Sequence, residues 1–210
     1  MNAVADRITP NITTLIRMDH SHVLAVFHRY RADLLPAKKR ALVTNACLLL
    51  EIHAQLEEEI FYPALRAVLR DDVLEKSEPE HAQMRTFIGE LRDMAGREGP
   101  SNGESYDEKF FELMRLVIHH VADEETRLLP AAERLLRDDL GRLGIDMTKR
   151  RIELMKPHAA ELAETTVRTF PAGAAAGAAL LTAGAVAVGA MLLGRNTKRT
   201  AENRMSRWRH

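Results

Sequence analysis

Apolar residues recur along this chain at three- and four-residue steps and nowhere alternate singly over a strand's length, so the pattern predicts helices. Ile12, Ile16, Val23 and Phe27 form one stripe. Leu49, Leu50, Leu56, Ile60 and Ala64 form a second, Met84, Ile88 and Leu91 a third, and Leu113, Leu116, Val117, Leu128 and Ala131 a fourth. Turn and cap residues set the ends. Thr9-Pro10 reads as the cap and first-turn proline of a helix reaching Arg31. Leu35-Pro36 opens a second helix, reaching Arg70, which Pro63 is expected to kink or end. A third is expected over Pro79 to Ala95, closed by GREGPSNGES, and a fourth over Tyr106 to Arg137, with Pro130 repeating the place of Pro63. Four helices with short connections predict an all-α, up-down antiparallel four-helix bundle over 10–137, followed by an additional helix or linker over 138–170.

The polar residues on those stripes change the picture. Each stripe contains one histidine, His20, His53, His81 and His120, and two stripes add a glutamate one turn later, Glu57 and Glu124. The two segments that carry both, HAQLEEEIFYPAL and HVADEETRLLPAA, echo each other down to the proline. An ionised carboxylate facing a core is costly unless paired or bound to a cation, and no inward Lys or Arg is evident. Neutral imidazole and carboxylate are the ligands a polyvalent cation takes, so these six residues read as metal ligands. The same phase sets neighbours aside. His119 aligns with Glu112, Arg115 and Asp123 on a solvated face, and His22 lies about 200° around the helix from His20. Glu58, Glu59 and Glu125 fall to surface or supporting roles, with Glu58 and Glu125 nearest the site's edge. His158 receives no role.

Charge and composition narrow the partners. The formal net charge is zero, so no overall field recruits nucleic acid. The single cysteine, Cys47 in NACLLLEIH, excludes an internal disulfide framework and a cysteine zinc knuckle, and reads as a buried hydrophobe. The N-terminal stretch has no uninterrupted apolar run, so no signal peptide is expected. Residues 171–194, PAGAAAGAALLTAGAVAVGAMLLG, carry no charge and would span about 36 Å as a helix at roughly 1.5 Å per residue. With the basic tail 195–210 behind it, this segment is expected to cross a membrane and leave the bundle in the cytoplasm. A soluble cytoplasmic protein is the alternative.

MDHSH, HAQLEEEIFYPAL, EHAQM and HHVADEETRLLPAA, in this order and spacing, resemble the hemerythrin-like (HHE cation-binding) family over residues 10–137. That resemblance implies two non-haem irons held in the bundle, bridged by carboxylates and an oxo or hydroxo group. It makes Glu57 and Glu124 the bridging pair and His20, His53, His81 and His120 the terminal ligands. Oxygen-carrying members place a further histidine one turn before the third-helix ligand, where this chain has Ser77. The implied function is binding or sensing of O2 or another small oxidant such as nitric oxide or peroxide, by a ligand-binding protein more than a catalyst. An iron buffer with the same site, and a metal-free structural bundle, are the alternatives.

Overall fold

Asn11, not Thr9, caps the first helix: its side chain accepts from the Thr14 amide at 2.8 Å, and α1 runs Ile12–Arg29 in the computed structural model, which describes residues 10–96 and 103–159. Pro36 stands in the first turn of α2 (Pro36–Leu56), where its missing N–H costs nothing. A π-helical segment, Glu57–Phe61, joins α2 to α3 (Tyr62–Arg66). Asp71 caps α4 (Asp72–Ala95) by accepting from the Val73 amide, so this helix begins earlier than expected and carries Pro79 inside it. Next come α5 (Gly103–Asp123), a second π segment (Glu124–Leu128) and α6 (Leu129–Leu135). α7 (Leu140–Met155) follows and ends in a 3-10 turn, Lys156–His158.

Pro63 and Pro130 do not end their helices. Each lies six residues after a core glutamate and has no N–H to return to the preceding turn. The backbone widens to accommodate this: the Tyr62 amide bonds the Glu57 carbonyl, and the Leu129 amide bonds that of Glu124. The wider turn shifts the helical phase by one residue. The buried face therefore continues through Phe61, Tyr62 and Leu65, while Ile60 and Ala64, expected on the stripe, are only partly covered.

Side-chain pairs fix the antiparallel arrangement. Arg17 near the start of α1 pairs with Glu133 in α6, and Tyr30 just past the end of α1 bonds Asp107 near the start of α5. Glu51 and Glu58 in the second helical run meet Arg92 and Arg85 of α4 in reverse order. The core divides into two apolar clusters. One gathers Ile16, Leu56, Phe61, Leu74 and Leu128, and the other gathers Val23, Leu50, Met84, Phe110 and Val117. Each fully buried Leu or Phe contributes about 1.5–3 kcal/mol. The histidine–glutamate layer lies between the clusters.

α7 packs on α1 and α2 by close approach. A Cβ at Gly144 would lie 2.4 Å from the Pro10 carbonyl oxygen, so only glycine fits there. Leu140, Leu143 and Met147 bury against the first cluster. The membrane-spanning segment expected over 171–194 needs correction: among the described residues no helix is long and apolar enough to cross a membrane. Even α4, the longest at 24 residues, alternates its apolar face with charged positions. Residues 171–194 and the tail 195–210 lie outside the described residues.

Candidate metal centre

Four helices and two π segments deliver one ligand-type side chain each to the layer between the clusters. His20 comes from α1, His53 from α2, His81 from α4 and His120 from α5, while Glu57 and Glu124 open the π segments. Both glutamates are fully buried, and no histidine among the four is more than 7% exposed. Their donor atoms fall into two groups compact enough to hold an ion: His20, His53, Glu57 and Glu124, and Glu57, His81 and His120. Glu57 belongs to both. The six sequence-predicted ligands are thus brought together. His119, set aside by phase, is exposed and pairs with Asp123.

All four imidazoles are held the same way. Nδ1 of His20 lies 2.8 Å from Glu125, that of His53 3.4 Å from Asp19, that of His81 3.0 Å from Glu58 and that of His120 2.7 Å from Glu80. Nδ1–H donating outward leaves the Nε2 lone pair facing the centre, the tautomer a metal ligand needs. Each of these carboxylates has its own cation: Arg17 at Glu125, Arg151 at Asp19, Arg85 at Glu58 and Lys76 at Glu80. Every supporting carboxylate is the sequence neighbour of a predicted ligand, yet it serves a histidine on the next helix. Asp19 beside His20 reaches α2, Glu58 beside Glu57 reaches α4, Glu80 beside His81 reaches α5, and Glu125 beside Glu124 returns to α1. Sequence reasoning anticipated Glu58 and Glu125 at the edge and missed Asp19, Glu80 and Arg151. The signal was present in DH, EH and EE, because one residue is about 100° of helix rotation.

Burial dominates the electrostatics. It raises the Glu57 carboxyl well above the ordinary range, and the Glu124 charge adds to the rise. Burial also opposes ionisation of Glu124, but His120, His20 and His53 around it hold its carboxyl low. Burial and the neighbouring Glu124 charge thus favour the protonated form of Glu57 in the metal-free pair. Burial pushes His53 down to about 4 despite Asp19, and lowers His81 as well. For His20 burial acts in the same direction, but Glu124 and Glu125 outweigh it and raise the imidazole.

Buried donor atoms without protein partners mark where a cation fits. His53 Nε2 and Glu57 Oε1 have no hydrogen bond; His53 Nε2 lies 3.2 Å from Glu57 Oε2, without the geometry of one. His81 Nε2 and His120 Nε2 face each other at 3.1 Å. An imidazole and carboxylate donor set suits iron, manganese or zinc.

Tyr62 escaped the sequence reading. Its hydroxyl lies 2.8 Å from Glu124 Oε1, 3.2 Å from Glu57 Oε2 and 3.3 Å from His81 Nε2. The π turn after Glu57 brings position 62 inward, which a regular 3.6-residue period does not anticipate. Ser77, standing where the further histidine would be, is buried, donates to the Val73 carbonyl and lies beside the Tyr62 hydroxyl. On the opposite side of the layer a cavity of about 30 Å³ adjoins His20, His53 and His120. Val23, Leu50, Met84 and Val117 give it an apolar wall, and Arg151 and Met155 of α7 close it together with Asp19 and His22.

A protein of Nostoc sp. (strain PCC 7120 / SAG 25.82 / UTEX 2576) called DNA nickase is 27% identical over 127 residues, which is 60% of this chain and 35% of that protein. The chain therefore spans about a third of that relative's length. No solved structure matches. The hemerythrin HHE cation-binding domain matches residues 11–132 and, overlapping, residues 72–191. The chain belongs to the hemerythrin HHE cation-binding domain family.

Proposed function

We propose that the chain holds two non-haem irons in this layer and uses them to bind or sense a small oxidant: O2, nitric oxide or a peroxide. The observation that carries the reading is the sharing of Glu57 between two ligand groups whose inward atoms include unpartnered, buried His53 Nε2 and Glu57 Oε1. In this reading His20, His53, Glu57 and Glu124 would hold one ion, and His81, His120 and the shared Glu57 the other. Bound iron would supply electrons and open coordination positions. The protein fixes the imidazole tautomers through the four outer carboxylates, excludes bulk water with the two apolar clusters, and offers the Tyr62 O–H as a neutral donor at the second group. Ser77 removes a histidine from that group, which favours sensing or reaction over dedicated reversible oxygen carriage.

Anaerobic iron reconstitution of the full chain, followed by an absorption spectrum on admission of air, tests this. Two irons per chain and an intense near-ultraviolet band that develops with air support the reading. A protein that retains no iron after desalting refutes it. Iron that is retained but whose spectrum is indifferent to O2, nitric oxide and peroxide would mark the site as a buffer.

A further inference from the structure

Of the four outer carboxylates, Asp19 takes its cation from outside the bundle. Arg17 on α1 and Lys76 and Arg85 on α4 serve the other three and are 36–40% exposed, whereas Arg151 on α7 is 16% exposed. Arg151 meets Asp19 through both Nη1 and Nη2, the latter at 2.6 Å, and Asp19 in turn lies 3.4 Å from His53 Nδ1. Arg150, one residue earlier, forks onto Glu59 in the first π segment, with Nε at 2.6 Å and Nη2 at 3.0 Å. Glu59 stands two residues after Glu57. Consecutive arginines of α7 thus grip two edges of one ligand group, that of His20, His53, Glu57 and Glu124. Glu58 and Glu80, which orient His81 and His120, are paired with α4 instead.

α7 is anchored unevenly. Its first half buries Leu140, Leu143, Gly144, Met147 and Thr148, with Gly144 tight against Pro10. None of residues 149–159 is buried. That half is held by the two arginine forks and by the partly covered Leu154 and Met155, and Arg151 and Met155 cover the cavity beside His20 and His53. A segment held by ion pairs and half-covered side chains opens more readily than one with core residues.

We propose that residues 149–155 are a clasp controlling the release of one ion of the pair. Arg151 positions Asp19, and through it His53, while Arg150 steadies the π segment that carries Glu57. Opening of the clasp frees the ion of the His20–His53 group and leaves that of the His81–His120 group in place. The proposal rests on the two-ion reading. Arg151 acts through Asp19 and is a positioning residue. The coupling is reciprocal, so an ion in that group tightens the clasp by the factor by which the clasp tightens the ion. Metal occupancy thereby reaches a helix outside the bundle.

The test challenges anaerobic, iron-loaded full-length protein with excess chromophoric iron chelator, in wild type, Arg151→Gln, Arg151→Lys and Arg142→Gln. Arg151→Gln is expected to release one of its two ions about 10- to 100-fold faster than wild type, the size typical of losing an outer partner of a ligand, with the other rate unchanged. Arg151→Lys keeps a cation for Asp19 and should recover part of that loss. Arg142→Gln, exposed and paired with Asp139 and Asp146, should match wild type. Equal acceleration of both ions, or of neither, overturns the proposal. If Arg151→Gln does not load, amide exchange in wild type decides: slowing on metal loading that is larger in residues 149–155 than in 140–148 supports the clasp, and equal protection along α7 overturns it. A wild type that retains fewer than two irons sinks the two-ion reading instead. Amide exchange of metal-free Arg151→Gln against wild type then decides on the clasp alone, faster exchange confined to residues 149–155 supporting it and unchanged exchange overturning it.

Discussion

His81 and His120, on adjacent antiparallel helices, point their Nε2 atoms at each other across 3.1 Å, while their Nδ1 atoms are engaged by Glu58 and Glu80. Two lone pairs at that distance are stable only with a cation between them, a proton or a metal. Replacing His120 with Ala should therefore lower bound metal per chain, whereas His119→Ala, on the exposed face one residue away, should leave it unchanged. Metal analysis after reconstitution and desalting checks this, and dependence on His119 instead would refute the ligand assignment.

The ring of outer carboxylates predicts an effect from residues that never touch the ion. Glu80→Gln removes the charge that orients His120 and should weaken metal binding by about 10- to 100-fold. Glu78→Gln, two residues away and paired only with Arg66 at the surface, serves as the control. Competition against a chelator of known affinity measures both. Equal affinities would show that the ring does not tune the ligands.

Glu57 couples metal to pH. Its raised carboxyl keeps a proton in the folded, metal-free chain that the unfolded chain releases above its ordinary value of 4.5. The stability tied to that proton is full below 4.5 and is lost as pH rises through the elevated folded value. Metal-free protein should thus melt lower at neutral pH than at mildly acidic pH until other groups titrate, and metal should restore it, by about 2.7 kcal/mol at a free concentration of 100 Kd. Glu57→Gln should flatten this pH dependence while weakening metal binding. A metal-free form as stable as the loaded one at pH 7 would contradict the coupling.

Tyr62→Phe deletes the hydroxyl that bonds Glu124 and contacts Glu57 and His81. Leaving the buried Glu124 oxygen without that donor should cost about 1–3 kcal/mol in the metal-free protein. Denaturant unfolding of both forms measures it, and a loss in the metal-free form much larger than in the loaded form is expected, because bound metal takes over the carboxylate. Equal losses would assign Tyr62 to packing alone.

Gly144→Ala places a methyl 2.4 Å from the Pro10 carbonyl oxygen. Overpacking of this kind costs about 1–3 kcal/mol, and here it should loosen α7 from the start of α1. Faster amide exchange in α7, with α4 and α5 unaffected, is the expected readout. Unchanged exchange would mean that the contact relaxes without moving the helix.

The sequence by itself determined which side chains enter the centre. Helical phase is local: His53 and Glu57, or His120 and Glu124, lie one turn apart on one apolar stripe whatever the tertiary arrangement, so the six residues were legible from spacing alone. Helix order and antiparallel packing followed from short connections and apolar faces. Tertiary structure alone decided what surrounds them. The wider turns after Glu57 and Glu124 break the 3.6-residue period, and they moved the buried face from Ile60 to Tyr62. The carboxylate ring links residues 34, 23, 40 and 105 positions apart, because a rotation of one residue turns a side chain toward the next helix rather than its own partner. Arg151 joins Asp19 across 132 positions from a helix outside the bundle, a pairing set by the close approach at Gly144 and by no periodicity in the chain.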